Sequence, residues 1–246
     1  MLRRTLPSVL AWAFMLLAVP APDLTAQEGG YPPPEAHLGV SLIAGDPVGE
    51  FGQFVGAGLG ADFFGRLPLD ARGILSFRGD LGFLIYGYES NRVCFDGVGC
   101  RVQADLITSN NIVFGGVGPE LSLPLPGFRP YLHAFWGFSY FTTVSSLEDG
   151  WDDYESSFET ENYGDGTVSW GFGGGVEAKL SQGRVPVALN LGFRYHRNGR
   201  VSYLTKGDMV DNPDGSITLY PVSSDGNLVS YHIGVSFGIP RGGNGH

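Results

Sequence analysis

The sequence predicts an all-β fold, and specifically an eight-stranded antiparallel up-and-down transmembrane β-barrel. First, apolar residues alternate with glycine or polar residues in eight separate runs, an even number. Second, from the third connection onward, long and short connections between the runs alternate. Third, glycine is abundant at 39 residues and only 16% of residues are charged, whereas a soluble domain usually carries about 25%. Together these observations indicate strands with one strongly apolar face.

Each run places large apolar side chains on one face and small or polar ones on the other. The fifth run is typical, with Leu132, Trp136 and Phe138 alternating with His133 and Gly137. The runs are His37–Ala44, Val55–Phe64, Ile74–Tyr88, Leu106–Leu123, Arg129–Thr143, Thr167–Leu180, Val185–Asn198 and Leu228–Ile239.

The polar face is built mainly of Gly, Ser and Asn, which suits the crowded interior of a narrow barrel. The large apolar face then has only lipid to meet. A β-sandwich would instead bury its apolar faces against each other, and its outer faces would carry few glycines. A soluble periplasmic barrel or sandwich remains the main alternative architecture.

The N-terminal part of the chain has the features of an export signal followed by a linker. Arg3 and Arg4 precede a short apolar core, Val9–Val19, and a small residue for cleavage follows at Ala26, as in a secretory signal peptide. The predicted organisation is a signal peptide 1–26, a linker 27–36, a barrel domain 37–239 and a C-terminal tail 240–246.

The charge balance excludes nucleic acid as a partner. The chain has a net charge of −10, and removal of residues 1–26 would make it one charge more negative, because that segment carries Arg3, Arg4 and Asp23. Phosphate binding requires a basic face instead.

The two cysteines, Cys94 and Cys100, enclose a loop that contains Gly97 and Gly99. In an oxidising compartment this spacing favours a disulfide. A metal site is disfavoured because no second Cys or His pair lies nearby, and no cofactor is expected.

The last run carries the most specific pattern. His232, Gly234, Phe237 and Ile239 stand at the positions of a polar residue, a glycine and two apolar residues. In this respect residues 37–239 resemble the small eight-stranded outer-membrane β-barrel family, of the type of the outer-membrane protein A transmembrane domain. The resemblance implies the outer membrane as location, its lipid as surroundings, and an assembly signal read by the barrel-insertion machinery. The segment ends in Ile239 rather than an aromatic residue and is followed by the tail.

Charged residues on the predicted interior face point to an ionic network. Charges inside a narrow barrel must be paired, so a structural plug is favoured over a gated ion or proton path. The residues are Arg78, Asp80, Glu120, His133, Glu177, Lys179, Arg194, His196 and His232.

Two connections predicted to lie outside the cell are candidates for surface contacts. Val144–Gly166 is rich in Asp and Glu, has no basic residue and contains aromatics, so it favours a divalent cation, an extracellular partner or a merely solvated loop. Gly199–Asn227 contains a strong turn signal at Asn212–Gly215, with flanks that could form a hairpin.

Catalytic signatures are weak. No histidine has a serine two residues later, although Ser230 precedes His232 by two positions on the same inward face. No Gly-x-Ser-x-Gly motif occurs. The sequence therefore predicts a non-enzymatic outer-membrane barrel with a structural or surface-interaction role. A porin-like channel for ions or small solutes and a lipid-modifying enzyme are the alternatives.

Overall fold

The computed structural model describes residues 36–94, 103–148, 158–181, 185–205, 207–212 and 217–239. The predicted signal peptide, almost all of the linker and the C-terminal tail lie outside the described residues, as does Cys100. In the described part of the chain, no helix is long and apolar enough to cross a membrane.

The described chain is built almost entirely of antiparallel strands, with one short helix, α1, at Phe51–Phe54. The strands are β1 Ala36–Pro47, β2 Gly58–Pro68, β3 Leu75–Cys94, β4 Gln103–Ser122, β5 Phe128–Glu148, β6 Phe158–Ser181, β7 Val187–Asn198, β8 Arg200–Tyr203, β9 Met209–Asp211, β10 Ile217–Leu219, β11 Val222–Asp225 and β12 Leu228–Ile239.

Eight of these strands close a barrel in which chain neighbours are also sheet neighbours. β1 to β7 pair in sequence order, β7 pairs with β12, and β12 closes the cylinder on β1. The closing pair runs from Ala36 opposite Ile239 to Pro47 opposite Leu228. The predicted eight-stranded antiparallel up-and-down barrel is confirmed, and closure leaves the barrel sheet without a free edge.

Three of the four central strands, β3, β5 and β6, extend well beyond the predicted runs, whereas β4 begins only three residues before its run. β3 to β6 have 20, 20, 21 and 24 residues, so much of the predicted connections Glu89–Asp105 and Val144–Gly166 is strand. Irregular pairing near Ile85 and Gly87, and near Thr143 and Val144, precedes the extensions. Beyond these points the ladder hydrogen bonds continue, although the apolar alternation that marks a membrane-facing strand is lost.

The barrel end that carries α1, here called the loop end, is filled by an apolar cluster. Phe51 of α1 is fully buried, and its ring makes edge contacts with Tyr86, Phe141 and Tyr203 at centroid distances of 5.6, 5.5 and 5.1 Å. Tyr203 belongs to the connection between β7 and β12, in which β8 pairs with β11 and β9 with β10. The hairpin expected in this connection is present.

The opposite end, here called the turn end, has short connections. Between β2 and β3, the carboxylate of Asp70 accepts the backbone N–H groups of Leu75 at 2.7 Å and Arg72 at 3.0 Å. Between β4 and β5, Gly127 has φ +84°, a conformation in which glycine avoids the steric cost of a Cβ.

Candidate functional site

The barrel wall has the opposite polarity to a soluble protein. Large apolar side chains point outward and are exposed, such as Leu59 at 71%, Leu42 at 68% and Trp136 at 66%. Charged side chains point inward, and Asp62 and Glu120 are fully buried. Soluble proteins almost never bury charges while exposing a continuous apolar surface, whereas a barrel in lipid has an outer apolar band around a polar interior.

The interior nearest the turn end is held by two glutamates. Nη1 of Arg66 lies 3.0 and 2.9 Å from the two carboxylate oxygens of Glu177. Glu120 accepts from Arg78 at 3.0 Å, lies 3.5 Å from Arg66 and is hydrogen-bonded to Arg129. Glu177 therefore joins β6 to β2 across the barrel, whereas Glu120 joins β4 to the nearby strands β2, β3 and β5.

A second group of charges lies deeper in the barrel. Arg78 donates from Nε to Asp80 at 3.0 Å, and Arg194 reaches the same carboxylate at 2.5 Å. Arg194 also lies 3.6 Å from Asp62. The described interior network thus contains four arginines and four carboxylates, which balance in charge.

Aromatic rings and amides complete this layer. The Arg78 guanidinium lies 4.3 Å from the centroid of the Phe64 ring, a cation–π distance. The Tyr131 hydroxyl donates to Asn190 at 2.8 Å. These contacts hold side chains between the ion pairs of the interior.

Ser230, His232 and Asp62 form a chain of polar contacts in the same interior. Oγ of Ser230 lies 2.8 Å from Nε2 of His232, whose Nδ1 lies 3.3 Å from Asp62. The order of groups is that of a serine hydrolase triad, but Ser230 and Asp62 are fully buried. Burial keeps this serine away from any molecule outside the barrel in the structure.

The spaces left between interior side chains are small. The gap beside Ser41, Tyr131 and His232 and the gap beside Phe114 and His196 each offer about 0 Å³ to a water-sized molecule. Small-molecule pockets typically have about 300–1,000 Å³. A larger groove of about 670 Å³ lies on the outer wall among Leu38, Phe63 and Trp136, where it faces away from the interior.

The structure places most of the predicted interior residues together and adds others. Arg78, Asp80, Glu120, His133, Glu177, Arg194, His196 and His232 are buried in the interior. Lys179 is exposed, because it lies near the end of β6, beside an irregularity in the pairing with β7. It does not join the described ion pairs.

Sequence analysis missed Asp62, Arg66 and Arg129 as network members. Asp62 stood on the polar face of the second run, so alternation could have identified it. Arg66 lies two residues beyond the predicted strand end, but β2 continues to Pro68 and keeps Arg66 facing inward. Arg129 occupies the start of the fifth run, opposite Glu177 in the ladder.

The residues of the predicted assembly signal have definite places in β12. His232 is buried, whereas Phe237 and Ile239 are exposed on the outer wall. A Cβ on Gly234 would lie 2.2 Å from the carbonyl oxygen of Val40. Close packing of β12 against β1 therefore requires glycine here, whether or not the segment also serves as a signal.

The acidic segment contributes described residues from β5 and β6. Glu161 accepts a hydrogen bond from Tyr140, and Asp165 accepts the backbone N–H of Ser202 at 2.8 Å. Among the residues that the structure describes, no group of three or more potential ligands could hold a metal ion. Cys94 ends β3, and its predicted disulfide to Cys100 stays a prediction.

Comparisons with known proteins give structural matches alone. No family model matches the chain, and no curated protein matches its sequence. Neisserial surface protein A is 12% identical, with a TM-score of 0.42, over 85% of this chain and 99% of its own.

Two further solved structures are similar. Ail, the attachment invasion locus protein of Yersinia pestis, is 8% identical with a TM-score of 0.41, over 82% of this chain and 97% of its own. A major outer membrane protein from Thermus thermophilus is 14% identical with a TM-score of 0.38, over 82% of this chain and 99% of its own.

Sequence identities of 8–14% bear on the fold alone. The fold assignment depends on the topology of the chain itself. Strand order, pairing and the outward apolar surface all come from the described residues. By these features the chain is a small, closed, eight-stranded up-and-down β-barrel of the transmembrane type.

Proposed function

We propose that this protein is an integral outer-membrane barrel whose interior is closed, and that it acts as a structural or surface-interaction component of the cell envelope. The observation that carries the proposal is the wall polarity, with exposed residues such as Leu59 and Trp136 outside and buried charges such as Glu120 inside. A polar interior and an apolar outer band are stable together only when lipid surrounds the barrel.

Membrane insertion also explains the closed sheet. In a bilayer, each backbone N–H and C=O must find a partner within the protein. The closing ladder between β1 and β12 satisfies this requirement over twelve residue pairs. A soluble periplasmic barrel would have to leave the entire apolar wall in water.

The membrane assignment is tested by extraction and by gel migration. The protein should leave cell envelopes only with detergent, and the unheated folded form should migrate differently from the heated form. A protein that is fully soluble and monomeric without detergent would contradict the proposal and favour the periplasmic alternative.

Closure of the interior follows from two successive barriers. The first is the loop-end cluster around Phe51, which is fully buried. The second is the ionic layer, in which Arg66 and Glu177 bridge opposite sides of the barrel. Charged pairs with additional hydrogen bonds are costly to separate in a dry interior, so ions would not pass at an appreciable rate.

Planar bilayer recording of the purified protein tests this closure. We expect no stable single-channel current from the wild-type chain. A large, reproducible conductance would favour the porin-like alternative instead. Mass analysis of lipid A from cells with and without the protein tests the lipid-modifying alternative, and identical spectra are expected because Ser230 is fully buried.

A role at the cell surface requires the loop end to face outward. β3 to β6 are the longest strands, and they project at the end where the connections 95–102 and 149–157 lie. An epitope inserted within 149–157 should be labelled by antibody on intact cells. An epitope within 182–184, at the turn end, should be labelled only after permeabilisation, and the reverse pattern would contradict this orientation.

A further inference from the structure

Several buried side-chain nitrogens at the turn end of the barrel interior remain without a partner among the described residues. They belong to Arg66 of β2, Arg129 of β5 and His37 of β1. His37 stands opposite Arg66 in the β1–β2 ladder, and Arg129 stands opposite Glu177 in the β5–β6 ladder. We call His37, Arg66 and Arg129, with Glu120 and Glu177, the turn-end cluster.

Arg66 uses only part of its guanidinium. Nη1 contacts both oxygens of Glu177 at 3.0 and 2.9 Å and lies 3.5 Å from Glu120. Nη2 is buried and has no hydrogen-bond acceptor in the described part of the chain. The Arg66 side chain is 1% exposed, so bulk water cannot solvate this donor freely.

Arg129, which lies close to Arg66, also has an N–H group without an acceptor. Nη2 is bonded to Glu120, and Nη1 lies 3.9 Å from Glu177, too far for a hydrogen bond. Nε is buried without an acceptor among the described residues. A buried charged donor with no acceptor is costly, which makes a bound acceptor at this place favourable.

The two carboxylates of the cluster cannot supply that acceptor, because three arginines already share them. Glu120 contacts Arg66, Arg78 and Arg129, and Glu177 contacts Arg66 and Arg129. Arg78 is also paired with Asp80, so the N–H groups that lack an acceptor are those of Arg66 and Arg129.

Charged groups of both signs surround the His37 ring. Its neighbours include Glu177 as well as the cationic Arg66, Arg129 and Lys179. Lys179 is exposed, and the Arg129 side chain is 12% exposed, so the cluster lies near the turn-end mouth, from which a small ion could enter. Several fixed N–H donors in a partly dry site are the chemistry that binds anions.

We propose that the turn-end cluster binds a small inorganic anion, of the charge and size of chloride, between Arg66, Arg129 and His37. The anion accepts the N–H groups that the glutamates leave unfilled. It thereby ties β1, β2 and β5 together at the end of the barrel opposite the Phe51 cluster.

The test uses the whole refolded barrel in detergent at constant ionic strength, with sodium gluconate replaced stepwise by sodium chloride or sodium bromide. We expect a saturable rise of the unfolding midpoint in chloride and bromide. Crystals grown with bromide should show an anomalous peak within hydrogen-bond distance of the Arg66 and Arg129 side chains. Equal midpoints in all three salts, or no interior peak, would overturn the proposal and indicate water at these donors.

Matched variants separate the site from general salt effects. Arg129→Gln should raise the half-saturating bromide concentration at least tenfold. Arg129→Lys, which keeps the charge but lacks the guanidinium Nε, should also weaken bromide binding. This variant provides the test if Arg129→Gln does not fold. Arg200→Gln removes an exposed arginine that bonds Ser223 at the loop end and should leave bromide binding unchanged; an equal loss there would contradict a local site.

Discussion

Arg66 and Glu177 are separated by 111 positions in the sequence, yet Nη1 of Arg66 contacts both carboxylate oxygens of Glu177 at 3.0 and 2.9 Å. β2 and β6, which carry them, are four strands apart in either direction around the eight-stranded barrel. This ion pair therefore crosses the interior and connects opposite walls. On the proposal of a closed interior, this pair is one of the contacts that fill the space a channel would need.

Glu120→Gln is predicted to destabilise the barrel by about 3–5 kcal/mol, the usual cost of removing one partner from a buried ionic cluster. The physical reason is that Arg66, Arg78 and Arg129 all contact this carboxylate. Urea unfolding in detergent, followed by the change in gel migration, measures the difference. Asp225→Asn, at an exposed position of β11, should change stability by less than about 1 kcal/mol. Equal effects of the two changes would contradict a structural role for the ionic layer.

Phe51→Ala is predicted to lower the free energy of unfolding by about 3–5 kcal/mol, the usual range for removing a buried phenylalanine ring. The ring packs against Tyr86, Phe141 and Tyr203. Phe54→Ala in the same helix is the matched control, because Phe54 is 50% exposed.

The Phe51→Ala barrel should still show no large conductance, since the ionic layer below the cluster remains. A stable open channel in this variant would show that the Phe51 cluster alone closes the barrel.

Asp70 lies in the connection between β2 and β3, outside the membrane-spanning segments. We predict that it contributes to the loss of folding stability at acid pH. Backbone N–H groups, chiefly that of Leu75, lower the pKa of Asp70 below its ordinary value of 3.8. A lowered folded-state pKa means that the contribution to stability is present above the unfolded value and is lost as pH falls through the folded one.

Asp70→Asn should therefore reduce the loss of stability as the pH falls below about 4. Urea midpoints measured through this range, with Asp225→Asn as the control, check the prediction. An unchanged pH profile in Asp70→Asn would show that the turn contributes nothing to acid sensitivity.

The disulfide between Cys94 and Cys100 is predicted for protein isolated from an oxidising compartment. Cys94 stands opposite Gln103 in the β3–β4 ladder, and Cys100 lies between these two residues in the sequence. Thiol labelling of the unfolded protein should occur only after reduction. Labelling without reduction would contradict the bond, and Cys100→Ser should show one reactive thiol under both conditions.

Alternation in the sequence was sufficient to predict the strands and their faces. All eight predicted runs coincide with barrel strands, and Trp136, Phe138 and Leu132 are exposed on the outer wall as their spacing indicated. Alternation is a local property of an extended chain, so it needs no knowledge of the partner strands. The loop-end extensions of β3, β5 and β6 were missed because they lie beyond the apolar band and carry no such alternation.

The sequence by itself determined the number of strands, their order and the inward position of most charged residues. Only the tertiary structure decided which charges meet, since contacts across a barrel interior depend on strand tilt and stagger. In the folded barrel, Arg66 and Arg129 lie beside Glu177, and Asp62 lies beside His232. Lys179, by contrast, is exposed. The tertiary structure also decided the position of Phe51, whose ring is buried in the loop-end cluster. Burial of this ring contributes more free energy than the weak helix-forming tendency of a four-residue segment.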